Sequence, residues 1–430
     1  MDAPLNDGAE QALRLMRAAG FDAAHVSLRH TALTEVNAAH NEASLLRSHE
    51  RLQLVLRGLL GQRKAATTLD GAALGDAAAL QSVVQRLRAD ALAAPADEAN
   101  AVSAGQHLQQ AQGPQQPDLD VLVDTLSELL AWRAGNAPLF RIGEAVVSHQ
   151  RTRTVTLTSE GTALDTASGC YGIEAMGAAR DGARASSFSG AGGHTHDLRS
   201  TPASAAFGLG EMMLDAVASL SPQPLTRKFV GDLVLSPQAL ADLIGWLLGQ
   251  LGDERLIGRS SIYGERVGQR IAVPSFTLRS RFDGPGVAPV SADAFVAQAV
   301  QPVQAGVLST LIPSFYGARR TGLAHVPTAA EGWAVDAGDT PLAELLSGVA
   351  EGALAGRLSM GRPAASGDFS AVVKNGFLLA GGQRGPAMAE SMVAGNMGRM
   401  LLDIKAISRE RLDTGAWLLP WVRVSGLHFS

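Results

Sequence analysis

A histidine pair followed by a carboxylate offers the most direct chemistry in this sequence. His194, His196 and Asp197 stand together in the run Gly193-His194-Thr195-His196-Asp197. Imidazole nitrogens and carboxylate oxygens are common zinc ligands, and residues two apart on a strand point to the same face. The run could therefore bind a metal if a strand placed both imidazoles together. A solvated glycine-rich loop is the simpler interpretation.

Candidate nucleophiles are few. The single cysteine, Cys170, stands in an extended run between Gly169 and Tyr171, and we interpret it as a small packing residue rather than a nucleophile. The sequence contains no G-x-S-x-G elbow, and a catalytic triad cannot be inferred from unordered serine, histidine and aspartate residues. It also contains no phosphate-binding loop and no Rossmann glycine pattern. The residue pattern therefore identifies no catalytic residue.

A group of methionines near the C-terminus has two interpretations. Its members are Met388, Met392, Met397 and Met400. Methionine is flexible and polarisable, so the group could form an adaptable binding surface for a peptide. Spacing of this kind is more typical of core packing, which we favour.

The composition limits the class of partner. Charged residues make up 18% of the 430 residues, the formal net charge is -5, and the basic residues are scattered arginines. We therefore expect neither nucleic acid nor a membrane as a partner, since no basic patch and no apolar run of membrane-spanning length is present. A lone cysteine and an acidic first segment without a signal-peptide pattern favour a cytoplasmic protein.

The first half of the sequence predicts helices that pack on a sheet. Helical periodicity covers Ala9 to Ala19 and Asp76 to Ala94, and short extended runs fill Ala24 to Leu69. Pro95 to Pro117 is rich in alanine, glutamine and proline, which predicts a flexible connection. After a helix capped by Asp118, short strands follow as a meander up to a small-residue loop at Ser187 to Gly193. This α+β pattern predicts an N-terminal domain over residues 1–225.

The second half predicts one long helix within a β-rich domain over residues 226–430. Ser236 can cap a helix with Pro237 at its first position, and leucines at helical spacing form its buried stripe. Further on, Phe369 to Val373 and Phe377 to Ala380 read as two strands joined by a reversal at Lys374-Asn375-Gly376. We expect these strands to form a hairpin. Asn396 can cap a short helix after a further extended run.

The motifs in this region resemble the TldD/PmbA metallopeptidase family, and specifically its PmbA (TldE) branch. The resemblance lies in the order SGDFS (366–370), NGFLLAGG (375–382), ESMVAGN (390–396), a helix, and LPWVRVSG (419–426). It is strong after about Gly231 and looser before it. It implies a β-rich C-terminal domain of the TldD/PmbA type, in a two-subunit peptidase whose TldD subunit carries the metal.

The resemblance also implies that this chain lacks the metal site. In the metal-bearing branch the helix after the same strand and proline carries an HExxxH motif, with two imidazole ligands and a glutamate base. Here its ligand positions fall at about Gly245 and Gln250, and the general-base position falls at about Trp246. None of these residues can ligate zinc in the usual way or act as a general base. The family's third ligand, a cysteine, has no counterpart within Ile407 to Leu419.

Two functional hypotheses follow. In the first, the chain is a non-catalytic subunit with no cofactor of its own, paired with an HExxxH-bearing TldD-like subunit that holds zinc. The pair would act on unfolded peptides, in leader-peptide processing or degradation of disordered proteins. In the second, the chain is a stand-alone peptide-binding module. Either way, an extended peptide could add to an open strand edge, and the candidate contact strand is Phe369, Ser370, Ala371, Val372 and Val373.

Overall fold

The computed structural model describes residues 3–71 and 76–430. The first half is built on one twisted sheet of long strands. Its strands are β1 (Ala23–Ala39), β2 (Glu42–Leu60), β3 (Arg63–Asp70), β4 (His107–Gln112), β5 (Phe140–Thr158), β6 (Ala163–Asp181), β7 (Arg184–Ala185) and β8 (Ser189–Thr195). The order across the sheet is β3-β2-β1-β5-β6-β4, and β7 and β8 also pair with β6. The short runs predicted from the sequence are therefore parts of continuous strands.

Four helices accompany this sheet in the described residues. They are α1 (Ala3–Ala18), α2 (Ala77–Ala93), α3 (Leu119–Asn136) and α4 (Leu209–Ala218). Asp76 caps α2 by accepting hydrogen bonds from the backbone N–H groups of Ala78 and Ala79, and Asp118 caps α3 through Val121. The cap predicted for α3 at Asp118 is therefore confirmed. The helices pack as two pairs, α1 with α2 and α3 with α4, each over its own apolar cluster on the sheet.

Two segments predicted as loops contain strands. The connection Pro95 to Pro117 was expected to be flexible, yet it contains β4, which pairs in parallel with β6 from His107 opposite Ala163 to Gln112 opposite Ser168. The small-residue loop is largely β8, antiparallel to β6. The sequence did not indicate these strands, because main-chain pairing needs no apolar side chain. The flexibility of the rest of the connection stays a prediction. The glycines of β8 allow close approach by other groups. A Cβ on Gly193, for example, would lie 2.7 Å from the Phe207 ring.

The second half is a branched β-structure with five helices in its described residues. Its strands are β9 (Phe229–Leu235), β10 (Leu278–Ser280), β11 (Val303–Gln304), β12 (Val307–Leu308), β13 (Trp333–Val335), β14 (Glu351–Ala355), β15 (Arg357–Met360), β16 (Asp368–Lys374), β17 (Phe377–Ala380), β18 (Gln383–Ala387), β19 (Ser391–Asn396), β20 (Ile404–Asp413) and β21 (Trp417–Phe429). Its helices are α5 (Pro237–Leu251), α6 (Asp253–Ile257), α7 (Phe315–Thr321), α8 (Leu342–Ser347) and α9 (Met397–Leu402).

The hairpin predicted at Asn375-Gly376 is wrong. Strand β16 pairs with β15 and β19, whereas β17 pairs with β14 and β18. The register of β14 with β17 continues into that of β15 with β16, so 351–360 and 371–380 form one antiparallel ladder with a bend. Asn375, at φ 50°, makes the bend instead of a reversal, and Gly356 opposite leaves room for it, since a Cβ there would lie 2.7 Å from the Asn375 carbonyl. The chain reverses in the loop 361–367.

The core of the second half lies against α5. Its residues Leu240, Leu243 and Leu247 are buried with strands β9, β16, β19 and β21 in one large apolar cluster. Within the described residues, no helix is long and apolar enough to cross a membrane. The predicted α+β class, with a helix-and-sheet first part and a β-rich second part, is confirmed. The expected boundary near residues 225 and 226 lies between the end of α4 and the start of β9, and it stays a prediction.

Candidate functional site

Helix α5 carries the positions that the family resemblance singles out. Ser236 caps it by accepting a hydrogen bond from the Ala239 N–H, and Pro237 occupies its first turn, as predicted. The side of α5 away from the core carries Gln238, Asp242, Gly245 and Gly249, all exposed. A Cβ on Gly245 or Gly249 would meet no atom within 4 Å. This exposed strip of α5 therefore borders open space.

Trp246, at the general-base position, is buried. Its indole N–H points to the Ala364 carbonyl at 3.4 Å, and its ring meets the Tyr263 ring edge-on with centroids 6.0 Å apart. Burial raises the pKa of Tyr263 to about 12, so its hydroxyl stays protonated at neutral pH. The indole has no basic nitrogen. Position 246 thus packs against the loop 361–367 and cannot accept a proton from water.

Both polar atoms of the Gln250 side-chain amide form hydrogen bonds. Its Nε2 donates to the Ala365 carbonyl at 3.0 Å, and its Oε1 accepts from the Ile262 N–H at 3.1 Å. The residue is only 1% exposed, so these bonds satisfy polar atoms that water cannot reach. The loop that turns between β15 and β16 therefore docks on α5 through Gln250 and Trp246.

The three positions do not fit a zinc site. Gly245 has no side chain and faces open space, while Trp246 and Gln250 are engaged with the loop 361–367. Zinc in proteins takes imidazole, thiolate or carboxylate ligands, and none is offered here. The described residues contain no group of three or more His, Cys, Asp or Glu side chains that could hold a metal ion. No metal-dependent step is assigned to this chain.

The segment expected to carry a third ligand in the metal-bearing branch is part of a hairpin. Residues 407–419 lie in β20, the turn after it and the start of β21. Ser408, with no exposed surface, donates to the Glu410 carbonyl at 2.6 Å and accepts from the Trp421 N–H at 2.8 Å. The bond from Trp421 joins β21 to β20.

The histidine run lies at the end of β8, and its three side chains have different surroundings. His194 lies beside Gly172 and Gly415 and lines a cavity between the two halves, and His196 approaches Gly113. Asp197 caps the short turn after β8 by accepting from the Arg199 N–H at 2.9 Å. The carboxylate of the run is therefore used in a local cap.

Cys170 and the methionines are largely packing residues. Cys170 is 4% exposed, and burial raises the pKa of its thiol to about 11. A thiol that stays protonated at neutral pH is a poor nucleophile. Met388, Met397 and Met400 lie in the core cluster around α5, as expected for packing residues, whereas Met392 is exposed.

The predicted peptide-contact strand has little open edge. Ala371, Val372 and Val373 of β16 pair with β15 on one side and with β19 on the other. Phe369 and Ser370 pair with Gly395 and Ala394 of β19. Because both edges are occupied at Ala371 to Val373, a peptide could not add there without displacing β15. The predicted peptide contact required an unpaired edge on β16. The unpaired edge lies instead on the neighbouring strand, β15.

Strand β15 carries this open edge. It pairs with β16 on one side, and no other strand of the described residues lies along its second side. Arg357 and Ser359 are exposed on it. Unpaired N–H and C=O groups on a strand edge are a template for an added strand.

A cavity of about 640 Å³ lies beside the start of β15, between the two halves of the chain. It is lined by Gln238, Arg357 and Asn375 from the second half and by His194 and the glycines of β8 from the first. Loss of solvation raises the pKa of Asp242 on the exposed strip of α5, and the charge of Arg357 opposes this shift. Ser189 donates to the Asn375 side chain at 3.1 Å and ties the two walls together. Gln238 of the exposed strip and Arg357 of β15 both lie in the wall of this cavity, which is called the groove below.

Sequence reasoning missed the polar residues of this groove. Gln238, Arg357 and Asn375 are far apart in the chain, and no spacing rule connects them. The only signal was Asn375-Gly376, which indicates a positive φ but was interpreted as a reversal.

The second half matches a known family model. Residues 229–430 match the model described as the PmbA/TldA metallopeptidase C-terminal domain. No curated protein matches the sequence.

Solved structures resemble the whole chain. TldE from Thermococcus kodakarensis is 16% identical, with a TM-score of 0.83 over 98% of this chain and 100% of that one. A putative modulator of DNA gyrase from Bacteroides thetaiotaomicron is 17% identical, with a TM-score of 0.87 over 100% and 99%. Another from Thermotoga maritima is 14% identical, with a TM-score of 0.80 over 99% and 100%. At these identities the likeness establishes a shared fold along the full length.

Proposed function

Since residues 229–430 make this chain a member of the TldD/PmbA metallopeptidase family, we propose that it is the non-catalytic subunit of a TldD/TldE-type peptidase. In this proposal an HExxxH-bearing TldD-like partner holds the zinc and activates water. This chain forms part of the substrate groove and holds an extended, unfolded peptide. Leader-peptide processing or degradation of disordered proteins would use such a groove.

The main support for this proposal is the pair of hydrogen bonds that Gln250 and Trp246 form with the loop 361–367. Both side chains are buried and hydrogen-bonded to the loop 361–367, and Gly245 offers no ligand. A glutamate base at position 246 or a histidine ligand at position 250 would need space beside it for a metal ion and a water molecule. The loop 361–367 occupies that space. The contacts of Trp246 and Gln250 with this loop support a structural use of this part of α5.

The open edge of β15 supports a peptide-holding role. A peptide that pairs with β15 would be recognised through its main chain, so binding would depend little on sequence. An unfolded segment can present its main chain along its whole length, whereas a folded protein offers only the edge strands of its sheets. Arg357 and Asp242 lie near the start of β15, where they could contact peptide carbonyl or N–H groups.

We expect the purified chain to show no peptidase activity alone. Mixed with the HExxxH-bearing partner, it should raise cleavage of an unstructured fluorogenic peptide by at least about 10-fold, since positioning of a substrate alone can contribute several kcal/mol. Activity should vanish when the partner's motif glutamate is changed to glutamine. A peptide N-methylated at alternate residues should be cleaved more slowly, because it cannot complete the strand ladder.

The chain offers a matched pair of variants for this assay. Arg357→Gln changes the groove, whereas Arg362→Gln changes an exposed residue that pairs with Glu254. We expect slower cleavage for the first and unchanged cleavage for the second. Equal activity of the partner with and without this chain, at concentrations where the two associate, would contradict the proposal and favour a peptide-binding module. Cleavage of N-methylated peptides at the normal rate would remove only the strand-addition step.

A further inference from the structure

Strand β8 has one unpaired edge. It pairs with β6 in a regular antiparallel register, from Gly177 opposite Ser189 to Tyr171 opposite Thr195. On its other side, no strand of residues 3–71 and 76–430 pairs with it. A sheet edge of this kind presents unpaired N–H and C=O groups. The direction and the surroundings of these groups decide what they can bind.

One hydrogen bond fixes the direction of the main-chain groups along this edge. The His194 N–H donates to the Thr414 carbonyl at 3.2 Å, so it points away from β6. In an antiparallel ladder, pairs whose N–H and C=O groups face each other alternate with pairs whose groups face away. His194, opposite Gly172, belongs to the second kind, and the register places Gly192 and Gly190 in the same kind. Their N–H and C=O groups therefore point to the open side of β8.

The close approach of β8 to β6 agrees with this assignment. A Cβ on Gly192 would lie 2.5 Å from the Cβ of Glu174, its register partner, and a Cβ on Gly190 would lie 3.2 Å from that of Met176. Pairs that exchange no hydrogen bonds have their Cα atoms about 4.5 Å apart, compared with about 5.5 Å for the other kind. Both glycines belong to the closer kind, and neither has a side chain that could shield the open edge.

The outward groups of these two glycines line the groove. Gly190 and Gly192 lie in the wall of the cavity of about 640 Å³ between the two halves. Within the part of the chain that the structure describes, their outward groups form no main-chain hydrogen bond. Half-buried main-chain groups need a partner, so water or a ligand must supply it. The Thr414 carbonyl closes the edge at one end and the Asn375 side chain closes it at the other, which leaves 190–192 open.

An extended peptide suits this edge better than a folded partner does. Three residues of a strand span roughly 10 Å, and neighbouring strands lie about 4.8 Å apart, so a single added strand needs little room. A folded partner, including a second copy of this chain, would have to bring a whole sheet into the space between the two halves. Outward N–H and C=O groups in alternation match the main chain of an extended peptide, whatever its side chains are.

An exposed aromatic ring stands next to the open edge. Phe188 immediately precedes β8, lines the same cavity and is 59% exposed. Val146 and Met176 line the cavity as well and are half-buried. Binding cavities typically combine apolar surface with a few polar groups that fix the orientation of the ligand. A peptide on this edge would thus find main-chain partners and apolar surface together.

We propose that Gly190 and Gly192 of β8 form a docking edge for the main chain of an extended peptide, and that Phe188 contacts an apolar side chain of that peptide. Two alternate peptide residues supply the partners, so the edge accommodates up to four main-chain hydrogen bonds. The inference rests on the proposed function, because it takes the same unfolded peptide as its ligand. It adds the place where the first half holds that peptide, whereas β15 belongs to the second half.

Amide hydrogen exchange, followed by NMR on the full chain without a partner subunit, tests the proposal. The probe is a short unstructured peptide that contains leucine. We expect the peptide to slow exchange at Gly190 and Gly192 by about 10-fold or more, and to change Ala191 little, because its N–H faces β6. Unchanged exchange at both glycines with millimolar peptide would overturn the proposal. Protection that needs no peptide and rises with protein concentration would also overturn it, since a second copy would then occupy the edge.

The same measurement separates this inference from the proposed function. Protection of Gly190 and Gly192 without any rise in cleavage by the HExxxH-bearing partner would contradict the proposed function and support the docking edge. A rise in cleavage with protection confined to β15 would support the proposed function and overturn the docking edge.

A matched pair of variants tests the main-chain contact. Gly190→Pro removes the outward N–H, whereas Gly190→Ala adds a side-chain carbon and keeps the N–H. We expect the proline variant to bind the peptide roughly 5- to 10-fold more weakly than the alanine variant. If the proline variant does not fold, single N-methylation along the peptide replaces it, and only alternate positions should weaken binding. Equal affinity at every N-methylated position would overturn the docking edge.

A second pair of variants tests the side-chain contact. Phe188→Ala should weaken the leucine peptide by roughly 3- to 10-fold and change little for a peptide with serine in place of leucine. Leu214→Ala is the control, because Leu214 is 45% exposed on α4 and lies outside the cavity. Equal weakening of both peptides by Phe188→Ala would overturn the side-chain part of the proposal.

Discussion

At the residue scale, the thiol of Cys170 is buried in strand β6, where 4% of the residue is exposed. Burial removes water from the thiol and makes the charged thiolate harder to form. The ionisation of this thiol is therefore coupled to folding.

The buried thiol predicts a specific loss of stability at alkaline pH. Burial raises the pKa of Cys170 from about 9 to about 11, so in the unfolded chain the thiol ionises first. Its contribution is fully present below pH 9 and is lost as the pH rises toward 11. With 1.36 kcal/mol per pKa unit, the loss is about 2–3 kcal/mol. Denaturant unfolding of the wild type and of Cys170→Ala at several pH values measures it.

The difference in unfolding free energy between the two proteins should shrink between pH 9 and 11. Ser168→Ala, on the same strand, is the control, because its difference from the wild type should not change with pH. Parallel curves for the wild type and Cys170→Ala would show that the thiol ionises equally in both states.

At the element scale, helices could be predicted from the sequence better than strands. Capping residues and 3.6-residue periodicity identified α2, α3 and α5, because both signals are local. Strands β1 and β5 were read as fragments because their inward faces turn polar at His30 and Arg153. A change of side-chain polarity does not interrupt main-chain pairing. A prediction based on the alternation of apolar and polar residues therefore splits one long strand into short ones.

The error at Asn375-Gly376 has a related cause. The pair is typical of a tight hairpin turn, yet here it bends a strand whose partner contains Gly356. Whether a positive φ reverses a chain or bends it depends on the opposing strand. The sequence therefore predicted two strands correctly and their pairing wrongly, and this removed the basis for the contact strand Phe369 to Val373.

Helix α5 provides a prediction about glycine. Gly245 lies inside the helix and its Cβ would meet no atom within 4 Å, so Gly245→Ala should raise the unfolding free energy by about 0.5–1 kcal/mol. Gly210 in α4 is the contrasting position, since a Cβ there would lie 2.9 Å from the Ser204 carbonyl and from the Trp132 ring. Gly210→Ala should therefore destabilise the chain.

Denaturant unfolding of both variants measures the contrast. A loss of stability in Gly245→Ala would mean that the exposed strip of α5 is covered in the isolated protein. In that case the groove beside it could not be open to a peptide.

At the scale of the whole molecule, the two halves are joined by polar contacts between distant residues. Arg384 pairs with Asp215, Gln112 donates to the Val287 carbonyl, and the Tyr316 hydroxyl donates to Asp97 at 2.8 Å. These pairs are 169 to 219 positions apart, and no sequence pattern links residues at such distances, so the contacts between the halves could not be predicted. The expected flexible connection, which includes Asp97, is one of the segments that these contacts fix.

Arg319 should be central to the junction between the halves. From α7 it donates through NH2 to the Glu98 carbonyl at 2.6 Å and through Nε to the Ala99 carbonyl at 3.1 Å, residues 221 and 220 positions away. Hydrogen bonds from a charged group contribute about 1.5–3 kcal/mol, less where the site is partly solvated. We therefore expect Arg319→Met to lower the unfolding free energy by about 1–2 kcal/mol and to speed hydrogen exchange of the amides at 97–100.

The adjacent residue provides the control for this prediction. Arg320 is on the same helix and is exposed like Arg319, but its contact with the segment is an ion pair with Asp97 at 3.5 Å. Exposed ion pairs contribute roughly 0–1 kcal/mol, so Arg320→Met should change stability little and leave exchange at 97–100 nearly unchanged. Tyr316→Phe removes another bond to the same segment, so its combination with Arg319→Met should not be additive. If both arginine variants behaved alike, charge rather than the directed hydrogen bonds would hold residues 97–100 against α7.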